Sequence, residues 1–106
     1  MINNNILGLI GLAMKAGKVC FGADSVEENI IKQKVKLLII SEDSSERTKS
    51  KFTKLCEKYN VPVIIDENIE TLSKAIGKSN KAIIGIKDVN FAESIQKKYN
   101  GGDVIG

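Results

Sequence analysis

Chemistry at neutral pH usually needs a histidine, an activated nucleophile or a set of metal ligands, and this chain holds few of those parts. It has no histidine in 106 residues. The side chain that titrates nearest pH 7 is therefore missing, and neither a Ser-His nor a Cys-His nucleophile pair can be built. Cys20 and Cys56 stand far apart with no Cys-x-x-Cys pattern, which leaves a zinc site short of ligands. Both sit among apolar neighbours and read as buried free thiols in a reducing cytosol. No Gly-x-x-x-x-Gly-Lys-Ser/Thr phosphate loop occurs. Gly8-Leu9-Ile10-Gly11 lies inside a helical pattern, where it suits close packing of a helix on the sheet rather than a dinucleotide. The acidic pair Glu42-Asp43 follows an apolar strand, where α/β proteins often place sites. A metal held there with Asp66 is one reading. Val19-Cys20-Phe21 supplies no acid to complete such a pocket, so the favoured reading is that Glu42 and Asp43 cap and complement the following helix. No catalytic residue, metal or cofactor is expected.

The stronger chemical signal is a junction at Gly22. Glycine lets another molecule approach the backbone closely, and the helix behind it offers free amides and a positive dipole end to phosphate. Asp24, Ser25, Glu28 and Lys32 share one side of that helix, within a sector of about 100°. Lys15 and Lys18 lead into the junction, Lys34 and Lys36 leave its far end, and the polar loop Gly77 to Lys81 is a candidate for the same side. An ordinary solvated helix face is the competing reading.

Alternating helices and strands must position these residues. Asn5 to Ala16 carries Ile6, Leu9, Ile10 and Ala13 at helical spacing, with Asn5 as cap and Gly17 as stop. Val19 to Phe21 is a short strand. A helix from about Asp24 to Lys34 opens on a capping-box pattern, Asp24 with Glu27, and presents Val26, Ile30 and Ile31 to the core. Val35 to Ile40 is a strand whose apolar run demands cover on both faces. Ser45 to Tyr59 has Phe52, Leu55, Cys56 and Tyr59 on one face and Arg47, Lys51, Lys54 and Lys58 on the other. Val61 to Ile65 is a strand with Pro62 near its start. A short helix spans Ile69 to Ile76, a strand Ala82 to Ile86, and a last helix Asn90 to Tyr99, with Asn90 and Glu93 as a second capping box. Gly101-Gly102 closes the ordered part. The order α-β-α-β-α-β-α-β-α predicts an α/β protein, a three-layer α-β-α sandwich with helices on both faces of a four-stranded sheet.

Bulk properties agree. The length suits a single domain over residues 1–106, and 42% hydrophobic with 27% charged residues is ordinary for a globular chain. A net charge of +3, from 16 basic and 13 acidic residues, permits a nucleic-acid partner if the bases cluster. Met1 to Asn5 lacks the positive start of a signal peptide, and Ile6 to Met14 is too short to span a bilayer. A cytoplasmic protein with no membrane partner is expected; oligomeric state is left open.

Several segments together resemble a known family: Leu7-Gly8-Leu9-Ile10-Gly11-Leu12-Ala13, Ala16-Gly17-Lys18, Gly22, Lys36 to Asp43, Cys56 to Pro62, and Leu72 to Gly77. Over about residues 6 to 95 the chain is similar to the kink-turn RNA-binding ribosomal-protein superfamily of archaeal L7Ae and eukaryotic L30e. Within it the chain looks most like the bacterial YlxQ-type branch. The resemblance implies the same sandwich and an RNA-binding, ribosome-associated role. The target would be a kink-turn, a sharply bent RNA with tandem sheared G·A pairs, or similarly structured ribosomal RNA. It implies contacts through the glycine-led start of the second helix and the loop after the fourth. Gly22 matches the family glycine. Asp24 stands in place of asparagine, Ser25 of glutamate and Glu28 of lysine, while Lys32 matches a basic residue one turn on. Gly77, Lys78 and Ser79 open the second loop. With Lys18 at the approach, the expected RNA-binding set is Lys18, Gly22, Asp24, Ser25, Glu28, Lys32, Gly77, Lys78 and Ser79. A protein–protein interaction module on the same fold is the alternative.

Overall fold

Helix α1 (Asn4–Lys15) begins one residue before the expected start, because Asn3 rather than Asn5 is its cap. The Asn3 side chain accepts from the Ile6 N–H at 3.0 Å. The computed structural model describes residues 1–101; Gly102, taken above to close the ordered part, lies outside them. After α1 come β1 (Val19–Phe21), α2 (Ala23–Ile31), β2 (Leu37–Ile40), α3 (Glu46–Tyr59), β3 (Val63–Ile65), α4 (Ile69–Ala75), β4 (Ile83–Ile86) and α5 (Val89–Tyr99).

The strands form one mixed sheet in the order β1-β4-β2-β3. The outer pair β2–β3 is parallel, whereas β4 runs antiparallel to both β1 and β2. β1, β2 and β3 therefore end at one edge of the sheet, which we call the upper end, and β4 begins there.

The period of two along the strands divides the core between the faces. Leu37 and Ile39 of β2, with Ile84 and Ile86 of β4, face Ile6 and Ile10 of α1, Leu72 of α4 and Ile95 of α5. Leu38, Ile40 and Ile83 face Val26 and Ile30 of α2 and Phe52 and Cys56 of α3. The three-layer α-β-α sandwich is thus built with α1, α4 and α5 on one face and α2 and α3 on the other. Gly85 is required in β4: a Cβ there would lie 2.7 Å from the Cys20 Sγ.

Several local expectations shift for identifiable reasons. Gly22 is the N-cap of α2 and places Asp24 inside the first turn, where it complements the dipole but does not cap. The helix stops at Ile31, short of Lys34, because Gln33 turns into the left-handed region at φ 60°. Ile31 consequently stays 46% exposed and leaves the core face to Val26 and Ile30. Ser45 caps α3 by accepting from Thr48 N–H. The acidic pair does not cap that helix; Asp43 instead accepts from Ile69 N–H at the start of α4. Asp88, not Asn90, caps α5. Gly11 packs against a helix rather than the sheet, since a Cβ on it would lie 3.2 Å from the Ala75 carbonyl of α4.

Candidate nucleic-acid interface

Gly22 sits where β1 hands over to α2, with φ 85° and ψ 148°. That backbone region is close to glycine-only. A Cβ there would meet nothing within 4 Å, so the space over this peptide is open to a ligand. No side chain caps α2. Its first-turn amides have no partner within the helix, and they carry the positive end of the helix dipole.

Asp24, Ser25 and Glu28 are exposed along one side of α2. The side-chain amide of Asn29, absent from the expected set, donates to the Ser25 carbonyl at 2.8 Å. Glu28 and Lys32 form an ion pair at 3.1 Å. Lys32, which terminates α2 as its C-cap, is therefore a cation already met by a neighbouring anion.

The second contributor is the loop 77–81. Gly77 adopts φ 70° and Asn80 φ 56°, which turn the chain tightly out of α4. Lys78 and Lys81 each place their Nζ over the Phe21 ring, 5.4 and 5.5 Å from its centroid. Phe21 immediately precedes Gly22, so the loop and the start of α2 share one edge of the molecule. Buried Ser73 holds the loop from behind: its Oγ accepts from Lys81 N–H at 2.7 Å and donates to the Lys81 carbonyl at 3.2 Å. Its carbonyl also accepts from Lys78 N–H at 2.9 Å. Beside the loop lies an open cleft of about 560 Å³ between Asp43, α4 and Ser79.

The expected set is therefore brought together with two exceptions, Lys32 and Lys18. Gly22, Asp24, Ser25, Glu28, Gly77, Lys78 and Ser79 belong to the upper end, whereas Lys32 caps the far end of α2, about 15 Å from Gly22 along the helix, and reaches back only as far as Glu28. Lys18 stands at the other end of β1, where its carbonyl accepts from Lys87 N–H at 2.8 Å. Its backbone is about 13 Å from Gly22 along an extended strand. Reading Lys18 as leading into the junction treated sequence proximity as spatial proximity, which a strand does not provide. Phe21, Ser73 and Lys81 escaped notice because their roles arise from contacts between β1, α4 and the loop. An aromatic residue next to a glycine and a serine inside a helix are weak signals alone.

The other candidate chemistry is occupied structurally. Glu42, Asp43 and Asp66 border a shallow concavity of about 360 Å³. Asp66 accepts from Tyr99 Oη–H at 3.0 Å, Ile2 N–H at 3.2 Å and Glu67 N–H at 2.7 Å. Partial burial pushes the Asp66 carboxyl up, but these hydrogen bonds outweigh it and hold the group below its ordinary value. Among the described residues, no three His, Cys, Asp or Glu side chains are grouped to hold a metal ion. Both cysteines are buried free thiols; burial raises Cys20 and pushes Cys56 up to about 11, so neither is an activated nucleophile. No described helix is long and apolar enough to cross a membrane.

Known proteins are similar to this chain in sequence and in shape. RNA-binding protein YlxQ of Bacillus subtilis (strain 168) is 36% identical over 87 residues, covering 82% of this chain and 87% of that protein. RNA-binding protein YlxQ of Enterococcus faecium is 34% identical over 95 residues, covering 90% and 91%. A protein of unknown function from Bacillus halodurans C has a TM-score of 0.89 at 32% identity, over 92% of this chain and 99% of that one. The 15.5kD RNA binding protein of Giardia lamblia shares the fold, with a TM-score of 0.78 at 19% identity over 95% and 92% of the two chains. The model of the family described as ribosomal protein L7Ae/L30e/S12e/Gadd45 matches residues 4–96, and the chain belongs to that family.

Proposed function

We propose that this protein binds structured RNA along the edge formed by Gly22, the start of α2 and the loop 77–81. Its target is a kink-turn or similarly bent RNA, and the ribosome is one host for such an element. The observation that carries this is the seating of Lys78 and Lys81 over Phe21, which joins two cationic side chains to the open backbone of Gly22. Phosphate would lie against the first-turn amides of α2. The Asp24 carboxylate can accept from guanine N–H groups, and Ser25 offers a short hydroxyl beside it. Lys78 supplies charge from the second loop, with Gly77 and Ser79 allowing close approach. The work is binding rather than catalysis, and the two free thiols suit a reducing cytoplasm.

The test is titration of a labelled kink-turn RNA beside the same RNA with its G·A pairs replaced, at two salt concentrations. Selective binding to the intact motif is expected. Equal, strongly salt-dependent binding to both would reduce the function to a general RNA-binding surface. Binding to neither would overturn the RNA reading in favour of a protein-interaction role.

A further inference from the structure

Four lysines meet at the lower end of the sheet, away from Gly22. Lys18 precedes β1, Lys87 follows β4 and Lys36 precedes β2, and these three strands are neighbours. Lys87 N–H donates to the Lys18 carbonyl at 2.8 Å, and Lys36 N–H donates to the Ile86 carbonyl at 2.7 Å. The three lysines are thus fixed side by side at about the inter-strand spacing of 4.8 Å. Lys34 joins them from the turn after α2. With Gly17 and Gln33, the four line a shallow concavity of about 360 Å³.

Among the described residues, no carboxylate forms an ion pair with these four lysines. The lysine ion pairs among the described residues involve Lys32, Lys49 and Lys51 instead. Asp88, the next residue after Lys87, gives its carboxylate to Phe91 N–H as the cap of α5. The ends of α1 and α2 lie nearby, each contributing about half a negative charge. Two such ends do not balance four ammonium groups. Four ammonium groups around one concavity make a positive potential that favours an anion there.

We infer that the basin is a second RNA contact, gripping the phosphate backbone of a duplex arm separate from the segment seated at Gly22. It rests on the RNA reading above but uses none of the same residues. A duplex is favoured over a single strand because no aromatic ring lines the basin to stack an unpaired base. Lysine ammonium groups read charge rather than base identity. With contacts at opposite ends of the sheet, about 13 Å apart along β1, the protein braces two RNA segments against each other.

The probe is an unbulged RNA duplex of arbitrary sequence, titrated across salt concentrations against the whole chain. Lys34→Gln with Lys36→Gln removes two exposed charges of the basin. Lys54→Gln with Lys58→Gln removes two exposed charges from α3 and matches the change in net charge. The first pair is expected to weaken duplex binding on the order of tenfold at low salt and to reduce the salt slope by about 1.8, while the second leaves both near wild type. Amide NMR shifts on adding duplex should centre on Lys18, Lys36 and Lys87. Equal weakening by both pairs, or no duplex binding by the wild type, overturns the inference. A kink-turn RNA run in parallel separates the two ideas. Selective kink-turn binding without duplex binding removes the basin alone, whereas duplex binding at the basin without kink-turn selectivity removes the upper-end reading alone.

Discussion

Glu28 is the residue whose charge sits least comfortably in an RNA-facing surface. A carboxylate near phosphate repels it, yet here the group also holds Lys32 at 3.1 Å. An exposed i,i+4 pair of this kind is worth about 0.3–0.5 kcal/mol, so RNA can separate it at small cost. Glu28→Lys replaces an anion with a cation and leaves Lys32 unpaired; kink-turn affinity is expected to rise several-fold, and no change in a filter-binding titration would place the RNA elsewhere. Lys32→Glu is expected to weaken binding and flatten its dependence on salt, with an unchanged slope removing Lys32 from the contact. Gly22 carries a different constraint. Gly22→Val forces a β-branched side chain into φ 85°, a strain of about 1–3 kcal/mol, and covers the open backbone. Loss of RNA affinity larger than the shift in urea midpoint accounts for would separate the second effect from the first.

Between elements, the join of β1, α4 and the loop 77–81 matters most. Ser73 is buried and spends its hydroxyl on both backbone groups of Lys81. Ser73→Ala leaves those groups without that partner, at about 1–3 kcal/mol, and releases the loop from α4. A lower melting temperature together with weaker RNA binding is expected; retained affinity would show that the loop does not need this brace. Phe21→Leu keeps the apolar bulk beside the core but removes the ring beneath Lys78 and Lys81. Each lysine–aromatic contact contributes about 0.5–1 kcal/mol at an exposed site. RNA affinity should fall by several-fold and stability by about 1–2 kcal/mol, as a binding titration and calorimetry on the same sample would show.

Across the whole molecule, Asp66 ties α5 to the end of β3 through Tyr99 and reaches Ile2 before α1. Its folded carboxyl titrates below the ordinary 3.8. The stabilisation is therefore present above that value and is lost as pH falls through the lower, folded one. Tyr99 is raised above 10.0, by burial first and then by its hydrogen bond to Asp66. Its contribution is present below 10.0 and disappears as pH rises toward the folded value. Tyr99→Phe removes one hydrogen bond from Asp66, so the acid limb of a stability–pH curve should become shallower. An unchanged acid limb in urea unfolding between about pH 2 and pH 6 would mean that Tyr99 does not hold the carboxylate down.

The nine elements were legible in the sequence because each carries its own period. Leu37 to Ile40 is a run that demands cover on both faces, and Phe52 and Cys56 recur at helical spacing. Caps were legible less often: Asn3 and Asp88 each lie just outside the expected start, where several short polar residues compete for one role. The edge around Gly22 could be proposed because glycine and a helix start are local features. What tertiary structure alone decided was which distant pieces stand together. Strand order and direction come from packing across the sheet, which pairs β4 antiparallel between β1 and β2. That pairing brings Lys78 and Lys81 onto Phe21, and it carries Lys18 to the far end beside Lys36 and Lys87. A strand separates the residues at its two ends while its backbone hydrogen bonds align it with chain remote in sequence, and no periodicity within the strand reports where that partner lies.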